Sequence, residues 1–364
     1  MTIIELTFTI TLTLFTESFT ANTFIFAIMA KVDIKVLAEQ LGISPSTVSR
    51  SLRDSHEISE QTKQRVKALA LKLNYEPHPY ASGLRKHKSK TIAVVVPDVA
   101  NNFFSRVFSG IESIAIDNNY HVLIYLTHES YEKEVNFIRH LLNGRVDGVI
   151  LSIASKTKDF EHIIALKELG IPVIFFDRIY NEIETTKITT NDFEISFEAT
   201  ELLAKRGCKR VAHLTNSLHL TTTQKRRDGY LAACKKLQLP TDDDLIIEET
   251  GNEISTESKL KALLTGLQPP DGIFVAVEKL SLLPYKVCKE LNIAIPSKLK
   301  VISFSNSEAA AFFQPALTTI TQPAFEIGRE ATTVLIDHLE KKKNPILNTT
   351  IVLPSTIFER ESTQ

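Results

Sequence analysis

Ile34-Lys35-Val36-Leu37-Ala38-Glu39-Gln40-Leu41-Gly42-Ile43-Ser44-Pro45-Ser46-Thr47-Val48-Ser49-Arg50-Ser51-Leu52-Arg53 decides how this chain is read. Leu37, Leu41, Ile43 and Val48 recur at helical spacing on either side of Gly42, so two short amphipathic helices share a small core. Ala38 leaves room for a close crossing. Gly42 falls where the chain must reverse with a positive φ, which a residue without Cβ adopts freely. Ser44 is a good N-cap, and Pro45 fits the first helical position, where a missing N–H is no loss. With Val48 and Leu52 turned inward, Ser46, Thr47, Arg50 and Arg53 fall on the opposite face. This is the layout of a helix-turn-helix, whose second helix lies in the major groove of DNA. Ser44, Ser46, Thr47, Ser49, Arg50 and Arg53 are the expected DNA contacts, and Arg50 is the candidate for a bidentate pair to guanine.

The competing reading is an ordinary helical hairpin with a basic outer face, and the next segment weakens it. A third helix, capped by Ser59, is expected from about Glu60 to Leu73, with Val66, Leu69, Ala70 and Leu73 on one face. Charge points the same way. The chain has 364 residues and net charge −1, yet residues 31–90 hold 12 Lys/Arg against 6 Asp/Glu, leaving residues 91–364 at −5. Such a footprint favours phosphate contacts and a steep loss of affinity with salt.

Composition, with 43% hydrophobic and 23% charged residues, is that of a globular protein of one small and one large domain. The cysteines, Cys208, Cys234 and Cys288, are odd in number and lack a CxxC pair, so neither a disulfide framework nor a zinc site is expected. No metal site and no cofactor are expected elsewhere. Residues 1–28 contain no Lys or Arg and carry Glu5 and Glu17, which suits neither a signal peptide nor a membrane span. The expectation is a mis-assigned extension, with translation starting at Met29, and a protein of the cytoplasm that meets the nucleoid there.

After the third helix comes Asn74-Tyr75-Glu76-Pro77-His78-Pro79-Tyr80-Ala81-Ser82-Gly83-Leu84-Arg85-Lys86, a linker holding one short helix. Here the chain resembles the lactose-repressor (LacI/GalR) family of bacterial transcription regulators. The resemblance implies a hinge helix that pairs with its dimer mate and pushes a leucine into the minor groove. Leu84 matches that leucine and Ala81 the small residue before it. A wedge of this kind unstacks a base step at a cost of a few kcal/mol. Gly83 weakens the isolated helix by roughly 1 kcal/mol, so it is expected to form on DNA.

From residue 91 onward, apolar runs at 91–97, 121–127, 146–153, 172–177, 210–215, 272–277 and 300–304 alternate with amphipathic helical stretches, which indicates parallel sheets covered on both faces. Ligands on such sheets bind at the carboxyl ends of the strands. The whole segment resembles the family's two-lobed, periplasmic-binding-protein-like sensor. Carrying that likeness are Ile92-Ala93-Val94-Val95-Val96-Pro97-Asp98 with Asn102-Phe103-Phe104, Val146-Asp147-Gly148, Ile171-Pro172-Val173 with Asp177-Arg178, and Pro315-Ala316-Leu317 with Gln322-Pro323. It implies effector contacts from Phe104, Asp177, Thr222, Arg226, Ser305 and Gln322, where Arg offers a fork of donors and Asp acceptors to a hydroxyl-rich ligand. Four departures bear on this, one being Asn191-Asp192, which has the family's acidic/amide pair in reversed order. Val277-Glu278 stand where the family has Asn-Asp, which is expected to cost one polar ligand contact. Ser305 replaces an aspartate, and Ile195-Ser196 stand where Gly or Ala is usual.

The expected fold class is therefore an all-α helix-turn-helix headpiece plus an α/β two-lobed periplasmic-binding-protein-like sensor domain of parallel sheets covered by helices. Expected domains are an extension at 1–28, the headpiece at 31–76, hinge helix and linker at 77–90, and the sensor at 91–360. Within the sensor, lobe 1 takes about 91–189 and 322–343, and lobe 2 about 190–318 and 344–360. The expected function is a sequence-specific DNA-binding transcriptional regulator, a repressor, controlled by a small carbohydrate effector. A sensor that has drifted to a non-sugar ligand or a protein partner is the alternative. No heptad tail follows Arg360, so a homodimer on pseudopalindromic operator DNA is expected, with no membrane partner. A solute-binding protein alone would lack the headpiece. A nucleotide-dependent enzyme would show a GxGxxG or GxxxxGK[ST] loop or a nucleophile elbow, and none occurs, so no enzymatic activity is expected.

Overall fold

The computed structural model describes residues 33–75, 89–142, 145–217, 219–341 and 346–364. The expected extension at 1–28 and the hinge-helix residues Ala81 and Leu84 lie outside the described residues. The chain divides into two units, residues 1–86 and 87–364.

In the first unit, α1 (Ile34–Leu41), α2 (Pro45–Leu52) and α3 (Glu60–Lys72) close on Leu37, Ala38, Val48, Val66 and Ala70. The local signals act as the residues dictate. Gly42 ends α1 at φ 63°, and the Ser44 and Ser59 side chains accept from the Thr47 and Thr62 backbone N–H groups. Lys63 is buried to 5% exposure but bonded to Asp54 at 3.1 Å and Glu60 at 2.7 Å, so its charge is satisfied.

The second unit contains two six-stranded sheets. The first comprises β1 (Thr91–Val96), β2 (His121–Leu126), β3 (Gly148–Leu151), β4 (Val173–Phe176), β5 (Lys187–Thr190) and β11 (Thr350–Leu353). The second holds β6 (Val211–Asn216), β7 (Ile246–Glu249), β8 (Gly272–Val275), β9 (Lys300–Phe304), β10 (Thr318–Thr321) and β12 (Thr356–Phe358). Every pairing is parallel except β10 with β12. Period two explains the apolar runs: Ile92, Val94 and Val96 enter one buried cluster, Ala93 and Val95 the cluster on the opposite face.

The chain passes between the sheets after β5, after β10 and between β11 and β12. The last crossing corrects the expected lobe boundary. Residues 350–353 pair with Lys187–Thr190 in the first lobe, and only from Thr356 does the chain join the second. Pro354, which has no N–H for a ladder, breaks what reads as one strand into two. The packed unit also runs past 360, since Ser362 and Thr363 are fully buried and the Ser362 backbone N–H donates to the Ala316 carbonyl.

Two helices of the second lobe, α7 (Asp192–Lys205) and α8 (Thr221–Leu237), approach closely because Gly229 has no side chain: a Cβ there would sit 2.2 Å from the Phe193 carbonyl oxygen. Backbone cannot yield as a flexible side chain does. Gly229→Ala is expected to destabilise by about 1–3 kcal/mol through overpacking, seen as a melting midpoint lower by roughly 2–4 °C per kcal/mol. Cys208, Cys234 and Cys288 are free and buried, and burial pushes the Cys234 and Cys288 thiols up to about 11. Among the described residues no helix is long and apolar enough to cross a membrane.

Candidate functional site

On α2, Val48 and Ser51 are buried, while Ser46, Arg50 and Arg53 are exposed and Thr47 and Ser49 half-buried. The Ser44 hydroxyl is first a cap, 2.7 Å from the Ser46 hydroxyl and 2.9 Å from that of Thr47. Arg53 Nη2 donates to Ser49 Oγ at 2.9 Å. Arg50 pairs with Glu57 at 3.0 Å, both side chains more than half exposed. One helix face therefore presents short hydroxyl groups and two guanidinium groups on a rigid base, the equipment for phosphate and base-edge contacts.

In the second unit, Phe104, Asp177, Thr222, Arg226, Ser305 and Gln322 all line one cavity of about 490 Å³. That size lies within the roughly 300–1,000 Å³ usual for small-molecule sites. The strand ends explain the convergence. Asp98 follows β1, Asp177 follows β4, Glu278 follows β8, Ser305 follows β9 and Gln322 follows β10. α4 (Asn102–Asp117) brings Phe104, whose ring meets Phe103 and Phe176 edge-on. Phe104 is thus core and cavity wall at once, 3% exposed.

Arg226 is fixed on three sides. Its Nε donates to Asp192 at 2.7 Å, its Nη1 to the Ala276 carbonyl at 2.7 Å, and its guanidinium carbon lies 3.7 Å from the Phe304 ring centre. Held this way, the fork keeps Nη2 without a protein acceptor among the described residues. Asp177 sits at φ 56°, a conformation Asp tolerates better than most, and its backbone N–H donates to the Ile188 carbonyl. Burial raises its carboxyl above the ordinary value, against the opposing pull of Arg178 and Arg226. Arg178 itself is taken by Glu129, with both carboxylate oxygens at 2.9 Å. His213, in β6, stacks on Tyr230, and burial pushes its imidazole down to about 3, so it stays neutral.

Sequence reasoning missed Glu278. Val277-Glu278 is expected from the sequence to cost one polar ligand contact, yet the position brings a carboxylate to the cavity wall: Glu278 Oε2 accepts from Ser305 Oγ at 3.2 Å and from the Asn306 backbone N–H at 2.6 Å. Ser305 and Glu278 form one bonded unit, and a carboxylate is present although Ser305 is not an acid. Nothing local in the sequence signals this, because the partners are 27 and 28 positions apart.

Residues 33–78 match the family model described as bacterial regulatory proteins, lacI family, and residues 200–363 that of a periplasmic binding protein-like domain. The HTH-type transcriptional repressor CytR of Escherichia coli strain K12 is 28% identical over 307 residues, covering 84% of this chain and 89% of that protein. A LacI family transcriptional regulator from Enterococcus faecium, solved with bound ribose, is 26% identical at a TM-score of 0.66, covering 75% and 98% of the two chains. The lac repressor dimer bound to operator, 21% identical with 92% and 99% covered, shares the fold at a TM-score of 0.79.

Proposed function

We propose, for a chain that belongs to the lacI family of bacterial regulatory proteins, that it is a DNA-binding transcriptional repressor whose hold on operator DNA is set by a small hydroxyl-rich effector in the cleft. The exposed face of α2, with Arg50 and Arg53 beside short hydroxyls above a closed three-helix core, carries this reading. A homodimer places two such helices on two half-sites of a pseudopalindrome, and Leu84, with Ala81 before it, supplies the minor-groove wedge.

The cavity supports a carbohydrate. Asp177 offers acceptors, Arg226 Nη2 a donor, Gln322 both, and Phe104 an apolar wall for the C–H face of a sugar ring. The ribose held by the Enterococcus relative agrees with that chemistry. Effector binding changes the closure of the lobes, and through the linker the spacing of the paired headpieces, a coupling of about 1–3 kcal/mol. The purified chain, incubated with sheared genomic DNA of its source organism, is expected to enrich fragments sharing an inverted repeat. A panel of mono- and disaccharides is then titrated against that repeat. Equal, weak retention of every duplex at moderate salt would overturn the reading.

Asp177→Asn separates charge from shape, since Asn also tolerates a positive φ. A carboxyl raised in the folded state holds its proton to higher pH than in the unfolded chain, so stability falls as pH rises from the ordinary value of 3.8 through the raised one. The variant is expected to lose that slope in thermal melts and to be the more stable form at neutral pH. Affinity for the best saccharide of the panel should drop about 10- to 150-fold, the range for losing a hydrogen bond to a charged group.

A further inference from the structure

Glu278 is a cleft residue whose carboxylate touches both lobes. It stands on the second lobe at the end of β8, and its Oε2 is held there by Ser305 Oγ and the Asn306 backbone N–H. Its Oε1 reaches the first lobe, where it accepts from Asn102 Nδ2 at 2.6 Å and from the Asn102 backbone N–H at 3.3 Å. Asn102 is the first residue of α4, and its N–H is among the donors a helix leaves without an internal acceptor. The next N–H, of Phe103, is already capped by Asn101 Oδ1 at 2.8 Å. A carboxylate at a helix N-terminus also meets the positive end of the helix dipole.

We propose that Glu278 is an interlobe clasp: a second-lobe carboxylate that caps the first helix of the first lobe and holds the two lobes together across the cleft. The ion pair of Arg106 with Glu308 at 2.7 Å, also between the lobes, is largely exposed and contributes little. The consequence for regulation rests on the cleft being the effector site. An effector there competes with Glu278 for the donors of Asn102 and Ser305, and its affinity reflects the exchange. The clasp itself is independent of that reading.

The test therefore uses neither effector nor operator. Hydrogen–deuterium exchange is followed by mass spectrometry on the effector-free full chain, in peptides covering residues 98–106 and 303–309. Glu278→Ala is expected to speed exchange at 101–104, on the opposite lobe, about tenfold, with residues 91–96 unchanged. Glu278→Gln, which keeps one acceptor oxygen, falls between. Unchanged exchange at 101–104, or acceleration spread evenly over the second lobe, overturns the clasp. Asn102→Ala is the independent arm should Glu278→Ala unfold. It cannot disturb the second lobe's core, and it is expected to speed exchange at 305–308 severalfold; no change there refutes the proposal. Failure to find an operator or a saccharide leaves this result standing, and loss of the clasp leaves the regulator reading standing.

Discussion

Arg50→Ala is expected to remove sequence preference while leaving general attachment to DNA. A bidentate guanine contact is worth about 1–3 kcal/mol of discrimination. A dimer makes it twice, so operator affinity should fall roughly 30- to 20,000-fold. The side chain is free to do this work. Its partner Glu57 is 3.0 Å away, but both groups are more than half exposed, and such pairs are worth about 1 kcal/mol or less. Releasing Glu57 therefore subtracts little from the gain on DNA. The fold should not respond, because the headpiece core is Leu37, Ala38, Val48, Val66 and Ala70, none of which Arg50 supports.

Arg53→Ala gives the contrast. A phosphate contact carries no sequence information, so its loss should weaken all duplexes alike and lower the slope of log K against log salt by about one per contact. Filter binding or fluorescence anisotropy on the selected repeat and on a scrambled duplex, across a salt series, distinguishes the two. If Arg50→Ala weakened both duplexes by the same factor, Arg50 would be a phosphate contact and the base reading would have to move to Ser46, Thr47 or Ser49.

The headpiece was legible because each of its decisions is local. Gly42, Ser44, Pro45 and Ser59 act within four residues of themselves, and the helical period places Leu37, Val48 and Val66 inward without any tertiary information. The seven strands β1 to β4, β6, β8 and β9 were legible as apolar runs for the same reason. β5 was not: Lys187-Ile188-Thr189-Thr190 is polar in sequence yet wholly buried, with Lys187 Nζ donating to the Ile183 carbonyl at 2.7 Å and to Asn348 Oδ1 at 3.2 Å. A buried polar strand whose lysine is held by neighbouring loop carbonyls and one distant amide has no periodic signature. β11 and β12 were hidden differently, since alternate exposure along 350–358 does not say that Pro354 divides the run between two sheets.

The cleft was partly legible. Asp177, Arg226 and Gln322 follow strands or stand in a recognisable pattern, and all six candidate effector residues line one cavity. The role of Glu278 was hidden because it depends on where the two lobes meet, a fact no short stretch of sequence contains.

Arg226→Ala should be the most damaging single change in the sensor, and it separates two roles of one residue. Asp192 is 2% exposed, and Arg226 is the cation hydrogen-bonded to it, at 2.7 Å. Removing one member of a buried pair strands the other, typically at about 3–5 kcal/mol, which lowers the melting midpoint by roughly 6–20 °C. Arg226→Lys should recover only part of this, because an ammonium cannot bond Asp192 and the Ala276 carbonyl in one plane while stacking on Phe304. Removing both charges is the informative case. In the double variant Arg226→Met with Asp192→Asn no charge is left stranded, and the penalty of the single change should largely disappear. If Arg226 serves only the fold, that protein regains its response to the effector along with its stability. If Nη2 is the donor that the ligand meets, the double variant melts near the parent temperature and binds its operator normally, yet no saccharide alters that binding.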